Sequence, residues 1–461
     1  MKVENTSKQE IKTIIEAQRA FFRSGETLGL KFRQQALCAL SKALKLWETR
    51  ISEALWKDLH KSYEEAYLTE LSIVLGEIDN HLHHLKRWMT PKRVVTPLKM
   101  MPSQSKVVIE PLGCTLIMAP WNYPVQLLLN PLVGAISAGC TAVLKSSPYV
   151  PYTSKVLEEM IKETFRPEYI AVVQGNREVN TALLEERYDL IFFTGSPQLG
   201  RTVMRAASEN LTPVVLELGG KSPCIVDKDA NIAMAARRIA WGKSLNAGQT
   251  CIAPDYLLVH ADVKDQLIGT LKSEFTRLHG PNPKESKHFV RIVNERAFDR
   301  LVGYIKDAHV VMGGEYDRSE RYISPTIIDQ VDVNSSIMQE EIFGPIFPVI
   351  TFTNTDEATD FVVSREKPLA LYYFSESKQN IRRVLKHTSS GGTCINDTIM
   401  HIANENLPFG GVGHSGMSAY HGKESFRVFS HYRAVVTTTT LLDLPFRYMP
   451  YKFFKWIKGL L

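Results

Sequence analysis

The sequence predicts an α/β protein with two parallel-sheet units and a small β arm, and three observations support this. From CTLIMAP at Cys114 to DLIFFTGS at Asp189, β-like apolar runs alternate with helical ones, the pattern of a parallel sheet with helices on both faces. The alternation restarts after the paired glycines of LELGG, with SPCIVD, a helix from Asn231 to Ala247 and the strand YLLVH. A proline-punctuated stretch before the first run and a β-branched run near the end lie outside both units, and these supply the arm. The first unit therefore reads as Rossmann-like, with ligand bound at the carboxyl ends of its strands.

Taken in order, the chain opens with helix. Apolar residues recur at three and four from Gln9 to about Trp88, as in Ala36, Leu37, Leu40 and Leu44, then Ile51, Leu55 and Leu59. Pro91 and Pro97 break that period, and Lys92 to Ile109 reads as a projecting hairpin or arm. The first sheet unit follows with a helix from Val125 to Ala138, the strand TAVLK, a helix from Thr153 to Phe165, the strand YIAVVQG and a short helix before DLIFFTGS. The expected boundaries are 1–91 and 110–218 for a dinucleotide-binding domain, and 219–417 for a second, catalytic α/β domain. Residues 92–109 and 430–441 are expected to lie outside both domains, and 442–461 to form an amphipathic tail. In the tail, Phe453, Phe454, Ile457, Leu460 and Leu461 share one helical face and Lys452, Lys455 and Lys458 another. That pattern suits the surface of an anionic membrane and is too short to span one.

Composition excludes several classes. Of 461 residues, 44% are hydrophobic and 23% charged, as in ordinary globular enzymes. The net charge of +6 is spread along the chain, so no nucleic-acid partner is expected. The opening MKVENTSKQE has no apolar core, which points to the cytoplasm. Six scattered cysteines without CxxC pairs read as reduced thiols. HLHH at His81 lies in a long helix with no further Cys or His cluster, and no metal site is expected.

Three glycine-rich segments bear on nucleotide binding. GGVGHSG at Gly410 contains GxGxxG, but no full strand precedes it and no acid follows at the required distance. GSPQLGRT at Gly195 approaches a P-loop, but Arg201 stands where the phosphate-gripping lysine belongs. The FTGS turn still ends a strand at the mouth of a helix, where backbone N–H groups and the helix dipole suit a pyrophosphate; an ordinary βα turn has the same look. Cys251, in NAGQTCIAP, follows Gly248 and a helical segment expected to lower its thiol pKa toward the nucleophilic thiolate. Glu217, in VVLELGGK, lies about one βαβ step earlier, so the two side chains can meet at one sheet edge. A strand-end carboxylate is ordinarily a surface group, although the glycines beside this one permit close ligand approach.

PWNYP, FTGS, LELGGK, GQTC and EEIFGP occur in this order along nearly the whole chain. Together they resemble the aldehyde dehydrogenase superfamily, and LPFGGVGHSGMSAYHGKESFRVFSH resembles its class 3 branch. The resemblance implies Cys251 as nucleophile, Glu217 as general base and Asn122 as oxyanion stabiliser. It implies NAD and/or NADP as cofactor, with Lys145 and Glu341 on the ribose hydroxyls, Phe343 beside the nicotinamide ribose, and Gly195 with Ser196 at the pyrophosphate. Medium- or long-chain aliphatic or aromatic aldehydes, a homodimer paired through RAVVTTTT and the arm, and His421 at the substrate entrance are further implications; an ordinary hydrogen-bonded histidine fits His421 equally. Pro148 departs from the pattern. It stands where many relatives carry a glutamate on the adenine ribose 2′-OH, and its presence implies acceptance of NADP alongside NAD. A cofactor-independent cysteine esterase and a non-catalytic scaffold are the alternative readings.

Overall fold

The computed structural model describes residues 3–451 and 453–459. Its helical opening comprises Lys8–Arg23, Leu30–Leu59 and Ser72–Met89, with Leu37, Leu40, Leu44, Ile51, Leu55 and Leu59 buried along the second helix, as their spacing requires. Between the second and third, the short helix Tyr63–Ala66 runs into a π-helical turn, Tyr67–Leu71. Every residue of the helix Gln126–Ala138 is buried. Its apolar residues lie on all sides, so it is stable only when enclosed, and Ser72–Met89, Leu30–Leu59 and Lys423–Val428 pack around it.

The first sheet has six strands, in the order Gly416–Met417, Val214–Leu218, Leu190–Gly195, Cys114–Met118, Thr141–Lys145 and Ile170–Val173. All pair in parallel except Gly416–Met417, which runs antiparallel with Gly416 opposite Glu217. The chain winds outward from Cys114–Met118 through Thr141–Lys145 to Ile170–Val173, then returns to the other side of its starting strand at Leu190–Gly195. The crevice between Met118 and Gly195 is thus the topological switch point of the sheet, where such folds bind ligands. GGVGHSG makes the tight return that brings Gly416 back to this sheet, and Ser415 O accepts the Leu218 N–H at 3.0 Å. Residues 416–417, grouped by sequence pattern with the second unit, are therefore paired with the first.

The second sheet has seven strands, in the order His309–Met312, Thr326–Asp329, Ile346–Phe352, Tyr256–His260, Pro223–Val226, Ala370–Phe374 and Gly392–Ile395. Only its outermost pair, His309–Met312 with Thr326–Asp329, is antiparallel. The helix expected from Asn231 runs Ile232–Ser244, with the Asn231 side chain accepting the Met234 N–H at 3.1 Å, and a tight turn over Leu245–Gly248 follows it.

The third sheet joins Lys92–Val94, Gln104–Pro111 and Ser430–Thr437 in that order, all antiparallel. Most of Ser430–Thr437 is exposed, including Tyr432 and Val436. A helix Phe454–Lys458 lies in the tail, where Phe453 and Phe454 are exposed. Lys452, Leu460 and Leu461, and the side chain of Ile457, lie outside the described residues, so the two-faced pattern read there is described only in part. Among the described residues, no helix is long and apolar enough to cross a membrane.

Candidate active site

A cavity of about 200 Å³ opens at the switch point, and Asn122, Gly195, Ser196, Glu217, Cys251, Glu341 and Phe343 all line it. Seven of the eight side chains singled out by sequence pattern are therefore brought together. Lys145 is the exception: it is buried at the end of the neighbouring strand, and its Nζ donates to Ser146 O at 2.6 Å. Two larger spaces adjoin the cavity. A cleft of about 800 Å³ shares Ser196, Gly219 and Glu341 with it. A funnel of about 560 Å³ shares Leu127 and Cys251, so Cys251 sits where the switch-point cavity and the apolar funnel meet.

The chain reaches Cys251 through a braced turn. Asn246, Ala247 and Gly248 have φ of 51°, 51° and 71°, a left-handed run that only the glycine adopts without strain. A Cβ at Gly248 would overlap the carbonyl oxygen of Gly344, so this residue also lets the Cys251 loop pack onto the loop carrying Phe343. Gln249 secures the turn from inside. Its Nε2 donates to Asn246 O at 3.0 Å and Arg291 O at 3.1 Å, while its Oε1 accepts the Val293 N–H at 3.1 Å. Glu65 accepts the Asn246 N–H at 2.7 Å, and Tyr123 shares a hydrogen bond with Thr250 at 2.7 Å.

Asn122 is buried beside this turn. Its Nδ2 donates to Gln249 O at 3.1 Å, which spends one amide hydrogen and fixes the plane of the group. Its carbonyl oxygen accepts from Asn246 Nδ2 at 3.0 Å and from Lys61 Nζ at 3.0 Å. Lys61 is in turn paired at 2.6 Å with Glu70, both side chains being 0% exposed, and Glu70 accepts the Val125 N–H at 2.8 Å. Lys61, Glu65, Glu70 and Gln249 were not singled out from the sequence. A Lys and two Glu in an ordinary helical stretch carry no pattern that announces burial, and the π-helical turn inside that stretch is visible only in three dimensions.

The two acids differ in their surroundings. Glu217 is 2% exposed, and among the described residues neither of its oxygens has a hydrogen-bond partner. Burial pushes its carboxyl well above the ordinary carboxylate range. Glu341 lies across Gly219, where any Cβ would overlap its carboxylate. Burial raises it to about 8, with Asp255 adding to the rise and the Gly220 N–H, Lys221 and Arg300 opposing it. Its loop is clamped from below. Asp255 Oδ1 accepts the Ile342 N–H at 2.9 Å, Arg300 donates to Ile342 O at 2.7 Å, and Lys221 bonds Asp255 and Glu340 O. Phe343, at φ 52°, meets Trp121 edge-on with ring centroids 5.4 Å apart.

The thiol departs from expectation. Burial pushes Cys251 upward, Glu341 and Glu217 add to the rise, and the backbone N–H groups of Cys251 and Ile252 only partly oppose it. The preceding helical segment does not lower it, because the left-handed turn lies between that segment and Sγ.

The features needed by a dinucleotide are present. Ser196 caps the twelve-residue helix Pro197–Ser208 at the switch point, Gly219 leaves room above the sheet, and Glu341 offers a carboxylate to hydroxyl groups. Pro148 is half-buried and lies three residues beyond Lys145, with no carboxylate of its own. The histidines play other parts. His81 is buried between Ser137 at 2.7 Å and Glu77 at 3.1 Å. His421 is buried against Phe409 and Tyr420 and does not line the funnel, so the structure places it behind the substrate entrance. Among the described residues, no three His, Cys, Asp or Glu side chains gather as metal ligands.

A model of the Aldehyde dehydrogenase family matches residues 1–435. The chain is 48% identical to the 4,4′-diaponeurosporen-aldehyde dehydrogenase of Staphylococcus aureus, over 96% of this chain and 97% of that protein. It is 46% identical to aldehyde dehydrogenase family 3 member A2 of Macaca fascicularis, over 90% and 86%. Among solved structures, the substrate-bound state of Staphylococcus aureus AldH superposes with a TM-score of 0.96 at 47% identity, covering 98% of this chain and 99% of that one. A betaine aldehyde dehydrogenase point mutant from the same organism, in complex with NAD+, gives 0.86 at 25% identity, covering 96% and 92%.

If the Lys61–Glu70 pair holds the Asn122 loop, Lys61→Met strands a buried carboxylate and destabilises the fold by about 3–5 kcal/mol. Adding Glu70→Leu recovers most of that loss. Urea denaturation of the two variants checks both expectations.

Proposed function

The chain belongs to the aldehyde dehydrogenase family and oxidises aldehydes with NAD or NADP, and we propose that it does so through a thioester on Cys251 hydrolysed with Glu217 as base. The esterase and scaffold readings are not favoured, since the relatives that match along nearly the whole chain are dehydrogenases. The observation that carries the mechanism is the position of Cys251 at the junction of the two spaces, with Asn122, Glu217 and Glu341 around one of them.

In this reading the Cys251 thiolate adds to the aldehyde carbonyl carbon. The oxyanion that forms takes hydrogen bonds from the free Nδ2 hydrogen of Asn122 and from the Cys251 backbone N–H. A nicotinamide cofactor would be held by Gly195, Ser196, Glu341 and Phe343, with Lys145 at the end of the neighbouring strand, and would supply a hydride acceptor. Cys251 is left as a thioester. Glu217 takes a proton from a water molecule, the water oxygen attacks the acyl carbon, and Sγ leaves as the acid is released. A carboxyl with a raised pKa is matched to this task, and it works in its ionised form.

The apolar funnel supports medium- or long-chain aliphatic or aromatic aldehydes as substrates. The missing acid at Pro148 supports acceptance of NADP alongside NAD. The exposed edge Ser430–Thr437 supports a homodimer formed by edge pairing, which would also cover that edge. The exposed Phe453 and Phe454, beside Lys455 and Lys458, support weak contact of a cytoplasmic protein with an anionic membrane surface.

Wild-type protein with hexanal is expected to reduce both NAD and NADP, read as absorbance of the reduced nicotinamide, and Cys251→Ala to reduce neither. Reduction of NAD alone contradicts the Pro148 argument. Asn122→Ala is expected to lower kcat by about 10²- to 10³-fold. Because Glu217 acts ionised and its pKa is raised, turnover rises with pH across the neutral range, and a pH–rate profile checks the sign. Sedimentation should show a dimer that Val436→Asp converts to monomer.

A further inference from the structure

The funnel to Cys251 is mainly apolar, and the Glu65 carboxyl group is set into its wall. Leu68, Trp241, Ile252, Met400 and Phe409 are among the residues that form it. One side is a single helical face, carrying Glu65, Leu68, Thr69 and Ile73 at the spacing of successive turns and passing through the π-helical turn Tyr67–Leu71. Glu65 Oε1 is spent on the Asn246 N–H at 2.7 Å. Among the described residues, no donor bonds its Oε2.

The charges near Glu65 do not cancel it. Lys61 is tied to Glu70 and to Asn122 O behind the wall. Glu64 and His288 lie 3.9 Å from each other at the rim, at side-chain exposures of 66% and 58%, where solvent screens them. Tyr123 is engaged with Thr250, and Cys251 is the other titratable group on the lining. Among the described residues, no lysine or arginine lines the funnel.

We propose that Glu65 is a specificity-determining charge filter, admitting aldehydes with neutral tails and rejecting those whose tail carries a carboxylate. An anionic tail entering the funnel loses its water and meets a like charge across low-dielectric walls, with no cation to pair with. A neutral alkyl chain meets mainly apolar surface and carries no charge for Glu65 to repel. The site thus discriminates by repulsion, which an apolar pocket achieves more sharply than it does by fit. Burial, Lys61 and Glu70 together set Glu65 at about 7, so at about pH 8.5 its carboxyl is ionised and the filter is on.

The test compares kcat/KM for hexanal and for 6-oxohexanoate, which has the same chain length, at about pH 8.5 and low ionic strength. Wild type is expected to favour hexanal by about a hundredfold. Glu65→Gln keeps the oxygen that accepts the Asn246 N–H, and the preference, read as the ratio within that variant, falls by about tenfold or more. Glu64→Gln leaves the preference as it is. The ratio is internal to each variant, so partly inactive protein does not distort it. A wild type that does not discriminate, or a preference unchanged in Glu65→Gln, overturns the proposal. The proposal rests on Cys251 as the reacting group; hexanal oxidation that survives Cys251→Ala overturns that reading instead.

Discussion

Between Asn246 and Cys251 the chain is held in a conformation it would not keep unaided. Two successive non-glycine residues in the left-handed region cost roughly 1–2 kcal/mol each, and the bonds of Gln249 and Glu65 offset that cost. The turn rests on Gly344 on one side and on the Asn122 loop on the other. Cys251, Asn122 and the Phe343 loop are therefore positioned by one set of contacts that crosses between the two sheet units. The buried ion pair beneath Asn122 costs desolvation, and its return is geometric: it fixes a carbonyl and a helix start at the same point.

The remaining architecture carries that turn to the right place. The switch point of the first sheet opens a cavity at Gly195 and Ser196, and the helix face from Glu65 to Ile73 walls the apolar funnel. Cys251 belongs to both, and in the proposed mechanism an aldehyde entering through the funnel and a dinucleotide lying over the switch point approach the same sulfur from different sides. The site at rest is electrostatically quiet. Burial and neighbouring carboxyl groups favour the neutral forms of both the thiol and Glu217, and ionisation awaits compensating positive charge in the cavity.

Much of this was legible in the sequence because it rests on periodicity and on short contiguous motifs. The helix Gln126–Ala138 and the strands from Cys114–Met118 to Leu190–Gly195 follow from local pattern, and the pairing of Gln104–Pro111 with Ser430–Thr437 is what the family resemblance implied. Asn122, Glu217, Cys251 and Glu341 sit in motifs whose glycines have a visible steric purpose once Glu341 is seen lying on Gly219. What escaped depends on contacts between distant segments. Glu65 and Gln249 act through backbone groups far away in the chain, and the return of Gly416 to the first sheet is a tertiary pairing. The expected lowering of the Cys251 thiol failed for the same reason: a helix nearby in sequence is uncoupled from Sγ by the turn between them.

The central claim is that oxidation proceeds through an acyl group on Cys251 that Glu217 is needed to release. Intact-protein mass spectrometry of Glu217→Gln, mixed with hexanal and NAD and quenched after one turnover, tests it directly. The expected result is a hexanoyl adduct on Cys251, about one reduced cofactor per site and little further turnover. A variant that turns over like wild type without accumulating the adduct, or an adduct on another residue, would contradict the claim.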